Sequence, residues 1–583
     1  MNTKLDKLPT IHDHLVELYG NELGQDTFQR LCSLIDHYRP SSLPPARRKR
    51  RKVCQRDSIL ITYGDQVSQA GTPPLRSLAD FCAQHLNHVV SAIHILPFYP
   101  FSSDDGFSVI DYKTVDPALG TWEEINAMGR AFRLMFDAVI NHISAGSRWF
   151  QAYLSGDPRY RQYFIEVSGD PDLSQAVRPR ALPLLTRFDT PSGSKAIWTT
   201  FSADQIDLNY HNPEVLLEIL DTLFFYAAQG AQFIRLDAIA YLWKEIGTSC
   251  IHLPQTHRII QLIRAALDAV FPQVLIITET NVPHADNLSY FGEGTNEAQL
   301  VYNFALPPLV LHTLQTGTSR ALTRWAGSLA LPAKTAAFFN FLASHDGIGL
   351  NPARGILTEP EIAALVEKTL AHGGFVSYKS NPDGTPSPYE LNINYFDALS
   401  NPFSCEQDQV QVNRFMAAQA IMLCLAGVPG IYFHSLFGSR GWPEGVQLTG
   451  RNRTINRQKL ERFTLERELQ QPESRRSQVF ARYSKMLKVR AARPAFHPNG
   501  GQQIIECGEA VFALLRHSPG SNRRVLCLHN ITNQVQTVNL DWQALFEQPS
   551  ITLVDLLTNQ SFNLNPGDPW TMRPYQVNWL ERK

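Results

Sequence analysis

The stretch FIRLDAIA at residues 233–240 places two charged side chains in an apolar run short enough to be a buried strand. Arg235 and Asp237 are two residues apart, and side chains two apart on a strand point to the same face. Burying a guanidinium and a carboxylate costs free energy unless the charges are paired or used. We therefore expect both side chains to belong to a polar site, in which the charge of Arg235 keeps Asp237 ionised.

Other polar side chains stand at the ends of further apolar runs that predict strands. Asn141 and His142 follow the third run, Glu279 follows the fifth, and His345 and Asp346 follow the seventh. Each residue alone is more often a helix cap or a hydrogen-bonded side chain than a functional group. Because the carboxyl ends of strands meet on one face of an α/β barrel, the whole set predicts a single site.

Three carboxylates in one pocket suit glycosyl transfer, because the transition state at the sugar carries positive charge. Such a reaction needs a nucleophile, a proton donor and a group that stabilises this charge. Glu279 follows the apolar residues VLIIT, and an apolar setting would raise its pKa and favour a general acid. Asp237, kept ionised by Arg235, would attack the sugar.

The elements that must position these residues predict an α/β fold built on a (β/α)8 TIM barrel. Apolar runs alternate with helical segments from residue 58 onwards, and runs buried on both faces are typical of a closed parallel barrel. The predicted strands are 58–63, 90–97, 132–140, 231–237, 274–279, 299–304, 337–344 and 427–433.

The chain divides into five predicted parts. A helical N-terminal extension covers 1–56, and the catalytic barrel comprises 57–142, 211–346 and 416–500. Two intervals are too long for a single helix, so we predict an inserted domain at 143–210 and an inserted loop and helical subdomain at 347–415. Short alternating strands predict a separate antiparallel, sandwich-like β domain at 501–583.

Composition narrows the classes of partner. The net charge of −1 gives no global field to recruit nucleic acid or an anionic membrane. The basic run RRKRRK at 47–52 lacks interleaved aromatic residues, which favours a solvated linker or helix end over a nucleic-acid site. The first twenty residues contain no apolar core of signal-peptide length, and the longest apolar stretches fall short of a bilayer span, so we expect a cytoplasmic protein. We expect it to be either a monomer or a homodimer.

The sequence predicts no cofactor and no metal site. Its eight cysteines are scattered singly without a CxxC pair, which indicates free thiols in a reducing compartment. The glycine-rich stretch GVPG falls in a predicted strand and lacks a dinucleotide fingerprint. The ligands that we expect are therefore small molecules.

Several of these stretches resemble the α-amylase superfamily, glycoside hydrolase family 13, and within it the sucrose phosphorylase branch. The resemblance rests on DAVINH, FIRLDAIAY, IITETN and SHDGIG, and is extended by HILPFYPFSSDDGFSVIDY, RPRALP, WTTFSADQIDLNY, YNFALPPLVLH and NRTINR. It runs from about residue 57 to about residue 500. The whole chain, including the segment NPDGTPSPYELN, is most similar to the glucosylglycerate phosphorylases of that branch.

The resemblance implies roles for individual residues. Asp237 corresponds to the nucleophile, Glu279 to the acid/base and Asp346 to the transition-state stabiliser. The residues that match positions binding the transferred glucosyl unit are Asp104, Phe107, His142, Phe201, Gln205, Arg235, His345 and Arg453. Arg180 and Tyr389 match loop positions that meet the phosphate or the leaving acceptor.

The expected reaction is a retaining phosphorolysis of an α-glucoside, in which inorganic phosphate yields α-glucose 1-phosphate. Sucrose-cleaving members of the branch carry an acidic residue two before the loop tyrosine, whereas Ser387 stands there in this chain, which argues against sucrose. Glucosylglycerate is the favoured substrate. Sucrose, sucrose 6'-phosphate and glucosylglycerol remain alternatives, as do a retaining hydrolase and a barrel that binds without catalysis.

An acceptor such as glycerate carries a carboxylate, so a site that selects it should hold a cation beyond the one that serves phosphate. Lys379, at the start of the KSNPDGTPSPYE loop, and Arg440, just past the eighth predicted strand, are the candidates. Either cation equally fits a solvated surface position.

Overall fold

The computed structural model of the protein describes residues 3–39, 52–180, 182–381, 385–547 and 550–583. The basic run at 47–52 lies outside these ranges apart from Lys52.

Eight parallel strands form a closed barrel, as the sequence predicted. Each strand pairs with its neighbours in chain order, and the last pairs with the first. The strands are β1 Ile59–Thr62, β2 Ala92–Ile95, β3 Arg133–Val139, β4 Ala231–Asp237, β5 Leu275–Thr278, β6 Leu300–Tyr302, β7 Ala337–Asn340 and β8 Val428–Tyr432. Every one of them falls inside its predicted range, because runs buried on both faces are easily recognised in a sequence.

Helices cover the outside of the barrel. Those that connect consecutive strands are Pro74–His85, Trp122–Ala131, Pro213–Ala228, Pro254–Val270, His284–Leu288, Leu306–Thr316, Arg320–Ser328 and Asp408–Cys424. After β8 the chain continues through Phe433–Leu436, Pro443–Thr449, Arg462–Leu469 and Arg475–Ala492. A two-residue strand, Val67–Ser68, pairs with Leu460–Glu461.

Two segments inserted after β3 and β7 rise above the carboxyl ends of the strands. The first contains the helix Arg148–Leu154 and a three-stranded sheet of Glu166–Val167, Gly193–Trp198 and Leu185–Thr190. The short strand His142–Ser144 joins this segment to the barrel by pairing with Gln205–Asp207. The second contains the helices Glu359–Ala371 and Tyr395–Leu399 and the strands Ile348–Gly349, Phe375–Ser380 and Pro386–Asn392.

The N-terminal extension is a helical hairpin, α1 Thr3–Tyr19 and α2 Asn21–Tyr38, that docks on the outside of the barrel. Its apolar face is buried at Ile11, Leu15, Leu31 and Ile35. The Tyr19 hydroxyl donates to the carbonyl oxygen of Tyr210 at 3.0 Å. The hairpin therefore shares the hydrophobic core of the barrel.

The C-terminal part is antiparallel, as predicted. Six strands form one sheet: Gly501–Ile505, Val511–His517, Arg524–Asn530, Val577–Arg582, Ile551–Asp555 and Ser561–Leu564. Gln536–Asn539 and Pro569–Met572 form a second sheet, and the helix Trp542–Phe546 completes this part. The two sheets enclose a separate apolar core. We propose the five predicted parts as the domains of the chain, with the last barrel segment beginning at the helix Asp408–Cys424 and not at residue 416.

None of the helices in the described ranges combines the length and the apolar character that a membrane span requires. All eight cysteines are free thiols. Within the same ranges, no group of three or more His, Cys, Asp or Glu side chains is placed to hold a metal ion.

Arg490, in the helix Arg475–Ala492, joins the barrel to its flanking segments. Its side chain is 1% exposed. Its guanidinium donates to the backbone carbonyls of Gln55, Asp57, Leu423, Gly427 and Phe496 at 2.8 to 3.3 Å. A single cation therefore satisfies carbonyl groups that would otherwise be buried without donors.

We predict that Arg490→Met lowers the free energy of unfolding by about 3 kcal/mol or more, because it leaves several buried carbonyls unpaired. The matched control is Arg493→Met, which removes a partly exposed ion pair with Glu581 at 2.9 Å and should cost less than about 1 kcal/mol. Chemical denaturation measures both changes. Equal losses for the two variants would contradict the role of Arg490.

Candidate active site

The three predicted carboxylates line one pocket at the carboxyl ends of the barrel strands. Asp237 is the last residue of β4, Glu279 directly follows β5, and Asp346 lies in the loop after β7. Arg235, also on β4, donates to Asp237 at 2.8 Å and lies 3.9 Å from Glu279. The two charges of FIRLDAIA therefore do share one face, and Glu279 joins them.

Arg235 is held from below by a residue that the sequence analysis missed. Asp137 is its direct neighbour on β3, and the two side chains form a hydrogen-bonded ion pair. His94 on β2 binds the other carboxylate oxygen of Asp137 at 2.6 Å. Although burial works against the charge, Arg235 and His94 lower the pKa of Asp137 to about 2. The available signal was a carboxylate inside the apolar run 132–140.

The pKa of Asp237 shifts in the direction opposite to the one that we expected. Burial raises the pKa of Asp237 well above its ordinary value, and the opposing charge of Arg235 does not outweigh it. Burial also raises the pKa of Glu279. The direction of the shift at Asp237 runs against our expectation that Arg235 keeps Asp237 ionised, because burial, together with the charges of Glu279 and Asp137, outweighs the guanidinium. The raised pKa of Glu279 agrees with the prediction from its apolar setting.

Asp346 has the opposite electrostatic environment. Arg453 lies 2.6 Å from its carboxylate and Arg457 lies 3.6 Å away. Burial would raise the pKa of Asp346, but Arg453, His345 and Arg457 together hold it well below its ordinary value. Asp346 is therefore a fixed negative charge in the pocket. Arg457 was missed, although it is the second arginine of the quoted block NRTINR.

The side of the pocket facing the first inserted segment is polar at one end and aromatic at the other. Arg180 pairs with Asp104 at 2.9 Å and lies over the ring of Phe201. Phe107 stacks on His345 with ring centroids 4.8 Å apart. The remaining predicted glucosyl-binding residues, His142 and Gln205, also line this pocket.

Both histidines of the pocket are uncharged donors or acceptors of hydrogen bonds. Burial lowers the pKa of His345 to about 3, and it also lowers the pKa of His142. The His142 Nε2 lies 2.9 Å from the carbonyl oxygen of Phe107. Neutral imidazoles suit recognition of sugar hydroxyl groups without adding charge.

Arg453 is bound more tightly than the sequence analysis anticipated. Its Nε and Nη2 donate to the two carboxylate oxygens of Glu390 at 3.0 and 2.6 Å, and Glu390 is 1% exposed. Glu390 lies in the second inserted segment, so this pair joins that segment to Asp346. No spacing in the sequence indicated the contact between residues 390 and 453.

A β-bulge aims the neighbouring Tyr389 at the site. Glu390 pairs with Ser377, whereas the next pair on the ladder joins Pro388 to Tyr378, so Tyr389 is the extra residue. Bulges re-aim side chains, which explains how consecutive residues both line the pocket. Tyr389 also lines a second, outer cavity that adjoins the first.

Only one of the two cations predicted to bind the acceptor lines the outer cavity. Lys379 lines it, together with Arg178, Asn281 and Tyr389. Arg440 lines neither cavity, because its guanidinium binds the Asp397 carboxylate at 2.6 Å and the Gln411 side chain at 2.6 Å. The structure thus places Lys379, and not Arg440, in the cavity that Tyr389 also lines.

The barrel and the carboxylate-lined pocket at its strand ends are typical of the class of enzymes that act on glycosides. Residues 85–346 match the family described as alpha amylase, catalytic domain. A glucosylglycerate phosphorylase of Allomeiothermus silvanus is 49% identical over 98% of both chains, and one of Escherichia coli is 45% identical over 98% of this chain and 99% of its own. The chain belongs to the α-amylase superfamily, in the branch that contains these phosphorylases.

More distant relatives agree with this assignment. A sucrose phosphorylase of Agrobacterium vitis is 32% identical over 76% of this chain and 89% of its own. The crystal structure of sucrose 6F-phosphate phosphorylase from Thermoanaerobacter thermosaccharolyticum matches with a TM-score of 0.72 and 24% identity, covering 88% of this chain and 98% of that one. This likeness supports the fold.

We predict that Asp237→Asn abolishes turnover, because the amide keeps the shape of the side chain but cannot attack. Glu279→Gln should fail with glucosides whose leaving groups need protonation, yet form glucosyl-enzyme from α-glucosyl fluoride, which does not. Rapid-quench assays with both donors measure this difference. A loss of only a few fold in a folded Asp237→Asn variant would remove Asp237 from the nucleophile position, and equal losses of Glu279→Gln on both donors would remove Glu279 from the acid position.

Proposed function

We propose that the protein is a retaining phosphorylase that cleaves 2-O-α-glucosylglycerate with inorganic phosphate, giving α-D-glucose 1-phosphate and glycerate. The observation that carries this proposal is the near full-length similarity to relatives named glucosylglycerate phosphorylase. The pocket supports it, since all three carboxylates that the chemistry needs line it together. Lys379 in the outer cavity offers a cation for the carboxylate of glycerate.

In the first step the carboxylate of Asp237 attacks the anomeric carbon of the glucosyl unit. The bond to the acceptor oxygen breaks as Glu279 delivers its proton to that oxygen, and glycerate leaves. The buried environment that raises the pKa of Glu279 favours the protonated form that this step consumes. Asp346, held ionised by Arg453, stabilises the positive charge that develops on the sugar.

In the second step phosphate attacks the anomeric carbon of the β-glucosyl ester. Glu279, now a carboxylate, accepts the proton of the attacking phosphate oxygen as the bond to Asp237 breaks. Two inversions at the same carbon give the α-configured product. The reverse reaction uses the same groups in the opposite order.

Phosphate differs from water because it is an anion that must enter a pocket already lined by carboxylates. It therefore needs fixed cations that hydrolysis does not. Arg180 lines the pocket and in the substrate-free structure pairs with Asp104 at 2.9 Å. We infer that Arg180 exchanges this partner for phosphate when the glucosyl unit occupies Asp104.

We predict that Arg180→Ala slows phosphate-dependent cleavage at least about tenfold more than it slows hydrolysis of the same donor. The ratio of glucose 1-phosphate to free glucose among the products measures this effect. Arg187→Ala is the matched control, because this arginine is exposed on a strand of the same inserted segment and lies outside the pocket. A product ratio unchanged from the wild type would mean that phosphate binds elsewhere.

Lys379 is the cation that we assign to the acceptor carboxylate. Its strand runs along the outer cavity, and within the described residues its ammonium group has no ion-pair partner. Burial lowers its pKa, and the nearby Arg354 lowers it further. A half-buried cation at the edge of a cavity favours an anionic ligand.

We predict that Lys379→Gln lowers the preference for glycerate over glycerol by about tenfold, the scale of one charge-assisted hydrogen bond. Phosphate release from glucose 1-phosphate, followed with glycerate, glycerol and fructose, measures this preference. Arg440→Gln should leave the preference unchanged and lower the free energy of unfolding instead, because it strands the buried Asp397. A wild-type enzyme that prefers glycerol or fructose would contradict the glycerate assignment.

A further inference from the structure

The turn that carries Asp104 has an unfavourable backbone conformation. Asp104 and Asp105 have φ angles of 54° and 50°, in the left-handed region that residues with a Cβ rarely adopt. Gly106 follows with a φ of 107°, and a Cβ there would lie 2.7 Å from the carbonyl oxygen of Pro97. Such a conformation persists only where the surrounding contacts impose it. The contacts of this turn therefore show what keeps Asp104 directed at the pocket.

On its pocket side, the turn is held by a contact that the proposed reaction exchanges. Asp104 lines the pocket and pairs with Arg180 at 2.9 Å, and Gln205 lies 3.4 Å from the same carboxylate oxygen. The proposed function has Arg180 leave Asp104 for phosphate. The pocket side alone therefore does not hold the turn through a catalytic cycle.

On the opposite side, Asp105 forms a hydrogen-bonded ion pair with Arg457. The Arg457 side chain is 5% exposed, whereas that of Asp105 is 40% exposed. Among the described residues, the walls of the pocket include Asp104 and Phe107 but neither Asp105 nor Arg457. This ion pair therefore acts on the turn without contacting the substrate.

Arg457 is itself fixed to the loop that follows β7. Its Nε donates to the carbonyl oxygen of His345 at 2.9 Å, and its guanidinium lies 3.6 Å from Asp346. It also lies over the ring of Tyr63, 5.9 Å from the centroid. A buried guanidinium with several partners keeps its position. The pair therefore ties the turn of Asp104 to the loop of Asp346.

We propose that Asp105 is a positioning residue, which holds the turn through Arg457 in the left-handed conformation that directs Asp104 at the glucosyl unit. This inference rests on the proposed function and adds a residue outside the pocket that sets how tightly the glucosyl unit is bound. Without the pair, the turn relaxes towards more favourable backbone conformations and Asp104 moves away from the sugar. Binding of the acceptor does not depend on this turn.

The test measures binding at the glucosyl position with two ligands, glucose 1-phosphate as donor and free glucose as a competitive inhibitor. We expect Asp105→Ala to raise the KM for glucose 1-phosphate and the inhibition constant of glucose about tenfold or more, the scale of a lost charge-assisted hydrogen bond. The KM for glycerate should stay within about twofold. A merely structural defect would lower the active fraction, and hence kcat, without changing the inhibition constant.

Asp65→Ala is the matched control. Asp65 forms an ion pair with Lys459 at 2.5 Å, and its side chain is 38% exposed, which is close to the exposure of Asp105. Its partner lies two residues after Arg457, and Asp65 does not belong to the turn of Asp104. We expect this variant to change the inhibition constant of glucose less than about twofold, as for an exposed ion pair.

A conservative variant separates the ion pair from the backbone conformation. Asparagine tolerates the left-handed region and its side-chain oxygen still accepts one hydrogen bond from Arg457. Asp105→Asn should therefore raise the inhibition constant of glucose by about threefold to fivefold, less than Asp105→Ala does. Thermal melting of each variant reports whether it folds like the wild type.

The proposal is overturned if the inhibition constant of glucose in Asp105→Ala stays within twofold of the wild type, if Asp65→Ala raises it equally, or if the KM for glycerate rises by the same factor. Where Asp105→Ala does not fold, Asp105→Asn decides, and an unchanged inhibition constant overturns the proposal. Failure of the proposed function is a separate result, seen as a wild type that forms no glucose 1-phosphate. The inhibition of α-glucosyl fluoride hydrolysis by glucose then gives the same comparison with the same criteria.

Discussion

The active site depends on one buried guanidinium that is shared among three carboxylates. Arg235 binds Asp137 beneath it and Asp237 above it, and Glu279 lies 3.9 Å away. Because a single positive charge serves three acidic groups, burial prevails and raises the pKa of both Asp237 and Glu279. In the proposed mechanism, the raised pKa of Glu279 keeps a proton available for the leaving group.

Two further arginines, Arg453 and Arg457, lie on the other side of the pocket beside Asp346. Arg453 and Arg457 flank Asp346, so this carboxylate stays charged while the other two favour their protons. In the proposed mechanism, the raised pKa of Glu279 suits proton transfer, whereas the lowered pKa of Asp346 suits stabilisation of positive charge. The barrel makes this possible because it brings the ends of β4, β5 and β7 together.

The barrel and its carboxylates could be read from the sequence because both leave local signals. Strands buried on two faces are continuous apolar runs, and a charge inside such a run, as at Arg235, is conspicuous. The contact of Glu390 with Arg453 joins residues far apart in the chain and leaves no such signal. The direction of the pKa shift of Asp237 could not be predicted from the sequence either. It depends on burial and on how Arg235 interacts with carboxylates on neighbouring strands. Arg440 does lie just past β8, as its place in the sequence indicates. Its ion pair with Asp397 joins distant parts of the chain and leaves no local signal.

The bulge at Tyr389 has a consequence for how acceptor preference can change in evolution or in the laboratory. Glu390 and Tyr389 both reach the site because the strand Pro386–Asn392 contains one residue more than its partner ladder requires. The extra residue in this strand therefore sets the direction in which the two side chains point, whereas the residue types set their chemistry. Substitution at position 389 alters the acceptor wall and leaves the anchor of Arg453 in place, but loss of one residue would restore the regular alternation and turn one of the two away from the pocket.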